Sequence, residues 1–127
     1  MIIRLWIVFA ALSGLAGVGA GAAAAHALEG RAAALAGTGS QYAIYHALAL
    51  LALAAFADRA GTRTRLLHIS GALFMAGILL FSGSLFVVAW TGEQGFTRLT
   101  PFGGTAFLLG WTVLAGYGLF GRSTANR

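Results

Sequence analysis

Residues 66–90 read LLHISGALFMAGILLFSGSLFVVAW, a run without a single Asp, Glu, Arg or Lys. An α-helix crosses a bilayer with about 20 mostly apolar residues, each rising roughly 1.5 Å. This run is long enough to span, and three more uncharged stretches accompany it: Leu5–Leu28, Tyr42–Ala57 and Pro101–Phe120. The second reaches spanning length once its flanking residues are added. All 8 basic and 3 acidic residues of the chain lie outside the four stretches. The pattern predicts one all-α membrane domain over residues 1–127, with transmembrane helices at about 5–28, 40–57, 66–90 and 101–120 in an antiparallel up-down bundle.

Composition agrees. The 127 residues are 59% hydrophobic and 9% charged, against roughly 25% charged in a soluble domain. Four crossings and short connections consume the length and leave no room for a soluble catalytic domain. The absence of cysteine excludes disulfides, iron–sulfur clusters and thioether-linked haem. The net charge of +5 comes entirely from Arg. Its juxtamembrane placement points to anionic lipid headgroups as partners, not to nucleic acid. Arg4, an apolar run and Ala22–Ala25 together resemble a signal peptide. The run continues to Leu28, however, beyond the usual 7–15 residues, so it is read as a retained first span.

Arg placement sets the expected orientation. Arg4, Arg59, Arg63, Arg65, Arg122 and Arg127 fall on one side, and Arg31 and Arg98 on the other. Both termini are therefore expected in the cytoplasm, in a multi-pass protein of the bacterial inner membrane. Trp6 and Trp90 read as interfacial anchors, and Tyr42 and Tyr45 as residues of the outer interface. Glu29–Gln41 reads as an external loop with a short helix over Arg31–Ala36. Thr100-Pro101 reads as a helix start, with Thr as N-cap and Pro at the first helical position.

Lipid supplies no hydrophobic drive for helix association, so small residues and polar contacts must provide it. In the first span Gly14, Gly17 and Gly21 fall along one face, and Gly17-x-x-x-Gly21 matches GxxxG. Gly19, Ala22, Ala23 and His26 lie roughly opposite. A helix small on both sides predicts a central position in the bundle. Gly77 in the third span and Gly103 and Gly110 in the fourth recur at heptad spacing with Ser70, Ser84 and Tyr117. The GxxxG pair is open to two readings: contact within the monomer, or self-association into a homo-oligomer.

Ionisable groups inside spans face the bundle interior and find partners. His26 and His46 both map near the outer leaflet on the expected spans. Tyr42 shares a face with His46, and Ser84 and Thr105 fall at similar depth. The predicted outer-leaflet polar cluster is therefore His26, His46, Tyr42, Ser84 and Thr105. It reads either as a hydrogen-bond network that fixes helix register or as a proton-linked or small-ligand pocket. A haem site between the histidines is a third reading. His68 reads as an interface residue. No catalytic motif, phosphate loop or metal-ligand spacing is present.

Four segments carry a family resemblance: GAGAAAAHALEG (Gly19–Gly30), QYAIYHALALLAL (Gln41–Leu53), GILLFSGSLFVVAWTG (Gly77–Gly92) and TPFGGTAFLLGW (Thr100–Trp111). In this order they resemble the YwdK/YgdD-like family of small integral membrane proteins. The resemblance implies a four-helix bacterial inner-membrane protein and marks His26, His46, Ser82, Ser84, Pro101, Gly103 and Gly104. It implies little about activity. The expectation is a structural or accessory membrane protein without enzymatic activity, cofactor or metal. The alternative is a small transporter or channel-like protein using the polar cluster, its ligand unspecified.

Overall fold

The structure is a computed structural model that describes residues 1–59 and 64–120; Arg63, Arg122 and Arg127 lie outside the described residues. The chain runs α1 (Ile2–His26), α2 (Gly30–Ala57), α3 (Thr64–Gly77), a π-helical segment (Ile78–Ser82), α4 (Gly83–Thr91), a short 3₁₀ turn (Gln94–Arg98) and α5 (Thr100–Phe120). The segments α3, π and α4 make one continuous span. Four helices are long and apolar enough to cross a membrane: Ile2–His26, Gly30–Ala57, Arg65–Thr91 and Gln94–Phe120. Short connections make consecutive spans antiparallel. Glycines at positive φ stand at two of these connections, Gly30 (φ 56°) opening α2 and Gly92 (φ 75°) ending α4. The Gly92 N–H returns to the Val88 carbonyl, 2.9 Å away, in the left-handed cap that favours glycine.

The first connection differs from the expected loop. Arg31–Gln41 is helical throughout, so α2 has 28 residues and only Ala27–Glu29 link it to α1. Gly37 and Gly39 are packing glycines instead of loop punctuation. A Cβ on Gly39 would stand 2.7 Å from the Phe86 ring. Glycine costs about 1 kcal/mol of helix propensity relative to alanine, and here it admits Phe86 against the α2 backbone. Tyr42 consequently lies 12 residues into the helix, about 18 Å from its start, well inside the expected interface.

The bundle's centre also differs from expectation. Helix α1 buries Trp6, Ala10, Ser13, Gly17 and Ala20, a single stripe at 3.5-residue spacing that packs on α2. The opposite small face is open at Gly19, and Gly14, expected to pack alongside Gly17 and Gly21, is open as well: nothing lies within 4 Å of a Cβ built on either. Helix α2 buries ten residues, from Ala36 to Ala57, because it meets α1, the third span and α5. The interior helix is thus α2, and α1 is peripheral. Trp6 is 1% exposed and is no lipid-facing anchor. Its ring fills the space left by Gly71, where a Cβ would be 2.7 Å away, and meets the His68 ring edge-on at 5.3 Å.

Serine-to-carbonyl bonds tie the helix pairs. Ser40 Oγ of α2 donates to the Gly17 carbonyl of α1 and sits where a Gly21 side chain would otherwise be, 2.8 Å from its built Cβ. The GxxxG pair therefore makes a contact inside the chain. Ser70 Oγ donates to the Gly110 carbonyl of α5 at 2.9 Å. Gly77 admits the Phe107 ring, Gly110 admits Phe74, and Gly103 lies against backbone atoms of Leu80 and Phe81. That last contact explains the tolerance of a π segment: its widened backbone bulges toward α5 at a residue with no side chain. Gly103 N–H bonds the Leu99 carbonyl, which makes Leu99 the N-cap of α5, one residue before the expected Thr100.

Candidate functional site

His46 is the polar centre of the molecule. It is 4% exposed and stands 11 residues before Ala57, about 16 Å up the helix. That is near the middle of a hydrocarbon core about 30 Å thick, not in the outer leaflet. The shift follows from the earlier start of α2.

Both ring nitrogens of His46 are occupied. Trp111 Nε1 donates to His46 Nε2 at 3.0 Å, and His46 Nδ1 lies 2.8 Å from the Tyr42 carbonyl one turn back. An indole N–H only donates and a carbonyl only accepts. Nε2 must therefore be the bare nitrogen and Nδ1 must carry the proton. The geometry assigns the neutral Nδ1–H tautomer. Phe107 stacks on the imidazole at 3.6 Å between centroids and 9° between planes. Phe74 lies 5.3 Å away, and Tyr42 at 6.1 Å is nearly parallel to the imidazole. Tyr42 in turn contacts Phe81 at 4.6 Å. The result is an aromatic nest drawn from α2, α3, the π segment and α5.

The five residues expected to form one polar cluster do not share one site. Tyr42 and His46 belong to the nest. Ser84 is buried in α4, where Oγ donates to the Phe81 carbonyl at 2.9 Å and pairs with Thr100 Oγ1 at 2.6 Å. With the serine hydrogen committed to Phe81, Thr100 is the donor of the second bond. His26 is exposed at the end of α1, at the level where Ala24 faces Gly37, nine residues of α2 away from His46. Thr105 is exposed and bonds the Pro101 carbonyl of its own helix at 2.9 Å. Two histidines this far apart along the bundle cannot ligate one haem. Among the described residues no group of three or more His, Cys, Asp or Glu is placed to hold a metal ion.

Trp111 was absent from the sequence expectation, although a signal for it existed. A tryptophan in mid-span needs an acceptor for its N–H, and histidine is among the few side chains of these spans that offer one. Phe74, Phe81 and Phe107 carried no such signal, since any of them reads equally well as a lipid-facing residue.

The matching family model covers residues 20–104, and its description is a protein of unknown function, DUF423. A UPF0382 membrane protein of Haemophilus influenzae is 42% identical over 119 residues, covering 91% of this chain and 93% of the relative. The chain belongs to the DUF423/UPF0382 family. Other family members include the Bacillus subtilis UPF0382 membrane protein YwdK, 38% identical with coverage of 87% of this chain and 93% of YwdK. The Escherichia coli UPF0382 inner membrane protein YgdD is 36% identical, with coverage of 87% and 86%. Membrane residence is therefore common to these DUF423/UPF0382 relatives by name and to this chain by its four apolar helices. No solved structure matches the chain.

Proposed function

We propose that this chain is a multi-pass protein of the bacterial inner membrane that acts as a structural or accessory component, not as an enzyme. The supporting observation is the state of His46. The one histidine buried in the bundle has both nitrogens engaged by the protein's own groups and a phenyl ring stacked over its face. A group so engaged fixes the register of α2 against α5 and is not poised for proton transfer or ligation. Ser40, Ser70 and Ser84 likewise spend their hydroxyls on helix contacts. The named inner-membrane location of YgdD supports the same membrane for this chain.

The test is reconstitution into vesicles under an imposed pH gradient. The proposal expects proton flux equal to that of empty vesicles, and expects His46→Gln to lower thermal stability without altering flux. A saturable flux that disappears in His46→Gln would overturn it and restore a transport role.

A further inference from the structure

A cavity of about 310 Å³ opens sideways between α1, α2 and the third span, away from the aromatic nest. Its lining is apolar except for Ser13 and Ser82 and contains no charged residue. Leu12 and Leu79 are highly exposed and form the rims, whereas Ala43 and Ser82 are fully covered and form the floor. Ser13 and Ala43 stand at the midpoints of α1 and α2, so the cavity belongs to the hydrocarbon interior.

Two independent features meet at its floor. Ser82 is 0% exposed and its Oγ has no hydrogen-bond partner, the only such buried side-chain atom among the described residues. A hydroxyl in a membrane helix ordinarily bonds the carbonyl one turn back. An unmet hydroxyl in an apolar setting is costly. Ser82 also closes the π segment, where the Gly83 N–H reaches five residues back to the Ile78 carbonyl; single-turn π segments recur at functional sites.

We infer that this cavity is a binding site for a neutral, lipid-soluble, ring-bearing molecule that presents a carbonyl oxygen to Ser82, the chemical class of membrane quinones. Each element of the class follows from the lining. With no charge to meet one, the ligand is neutral. At this depth a phosphate headgroup does not reach the site, so the polar atom must be one that travels within the hydrocarbon. The volume is about ten times a water molecule's share of the liquid and at the small end of ligand pockets. It holds a substituted ring and excludes a helix, whose diameter is about 10 Å. Phe9 and Phe86 line the cavity from α1 and α4 and supply faces for a planar ring; Phe86 is held by Gly39 and by an edge contact to Trp90 at 6.2 Å. Ser82 has no exposed surface as it stands, so a ligand meets its hydroxyl only if it turns about χ1 to another staggered rotamer. This inference is independent of the role proposed above, because none of its residues belongs to the His46 nest.

The test uses the full chain in nanodiscs with a photoreactive azido-decylbenzoquinone. Decylbenzoquinone competes in one arm and decylbenzene, which has the same chain on a planar six-membered carbon ring without the oxygens, in the other. The inference expects saturable labelling on peptides containing Phe9–Ala16 and Ile78–Phe86, competed at least about 5-fold better by the quinone, the worth of one net hydrogen bond. Ser82→Ala should weaken quinone competition by a similar factor while raising the melting temperature, because it removes the unpaired hydroxyl. A serine serving only structure would not separate these readouts. Ala16→Phe, filling the cavity from its rim, should abolish labelling. Labelling that never saturates, equal competition by decylbenzene, or indifference to both substitutions would overturn the inference. So would cross-links between two copies of the chain at this groove, which would make a second copy its occupant.

Discussion

Replacing Trp111 by Phe keeps an aromatic ring beside His46 and removes one donor. The expected cost is about 1 kcal/mol, because the bare Nε2 is left without a partner in a site that excludes water. His46→Phe should cost a comparable amount by leaving the Trp111 N–H unpaired. The double substitution should cost less than the two singles combined, since neither polar group then remains. Reversible unfolding of the four proteins in mixed micelles checks this; strict additivity would show that the 3.0 Å contact contributes nothing. The glycines give a second contrast at this scale. Gly103→Ala would place a Cβ 2.3 Å from the Phe81 backbone nitrogen, whereas Gly14→Ala meets nothing within 4 Å. Backbone cannot swing aside as a flexible side chain can, so Gly103→Ala should cost about 3 kcal/mol. Gly14→Ala should be neutral or stabilising by up to about 1 kcal/mol. Small-residue spacing places both glycines among the packing residues. What separates them is where the neighbouring backbone lies: α5 meets the π segment at Gly103, whereas α1 meets nothing at Gly14.

At the scale of elements, four spans were legible because charge is excluded from hydrocarbon and its absence over some twenty residues is conspicuous. The start of α2 was not. Gly30, Gly37 and Gly39 spell a loop under soluble-protein rules, yet in a bundle the same residues let helices approach closely. Misplacing that start by ten residues moved His46 from the middle of the membrane to its edge. It also produced a five-residue cluster that the fold distributes among the nest, the Ser84–Thr100 pair and two exposed positions. The π segment was equally invisible, since Ile78–Ser82 has the same composition as the helix on either side. Its role is testable. Inserting an alanine after Leu79 would add a residue beyond the one the wide turn absorbs and turn α4 by about 100° relative to α3. The turn carries Ser84, Leu85 and Val88 off the buried face they share and breaks the Ser84–Thr100 bond. The insertion should lose the monodisperse peak in size-exclusion chromatography, whereas an alanine inserted after Gly95 in the exposed 3₁₀ turn should preserve it. A well-behaved insertion would mean that the bundle packs as readily with α4 turned away from its present face.

For the whole molecule, the open question is which way the bundle faces. The chain has so little outside the lipid that its orientation rests on arginines alone. Six of them share the side proposed as cytoplasmic and two the opposite side. Moving fixed positive charge across the membrane is opposed during insertion, so the richer side stays in. A fluorescent-protein fusion at the C-terminus should therefore fluoresce, and an alkaline phosphatase inserted at Gln94 should be active. Replacing Arg59, Arg63 and Arg65 by Ser leaves three arginines against two and nearly erases the bias. Both reporters should then give partial signals in the same culture. The packing cannot compensate, because the helix contacts made by Ser40, Ser70 and His46 are internal and are the same whichever way the bundle points. Retention of a single orientation in that triple variant would show that another feature, such as the order in which the two hairpins insert, sets the direction.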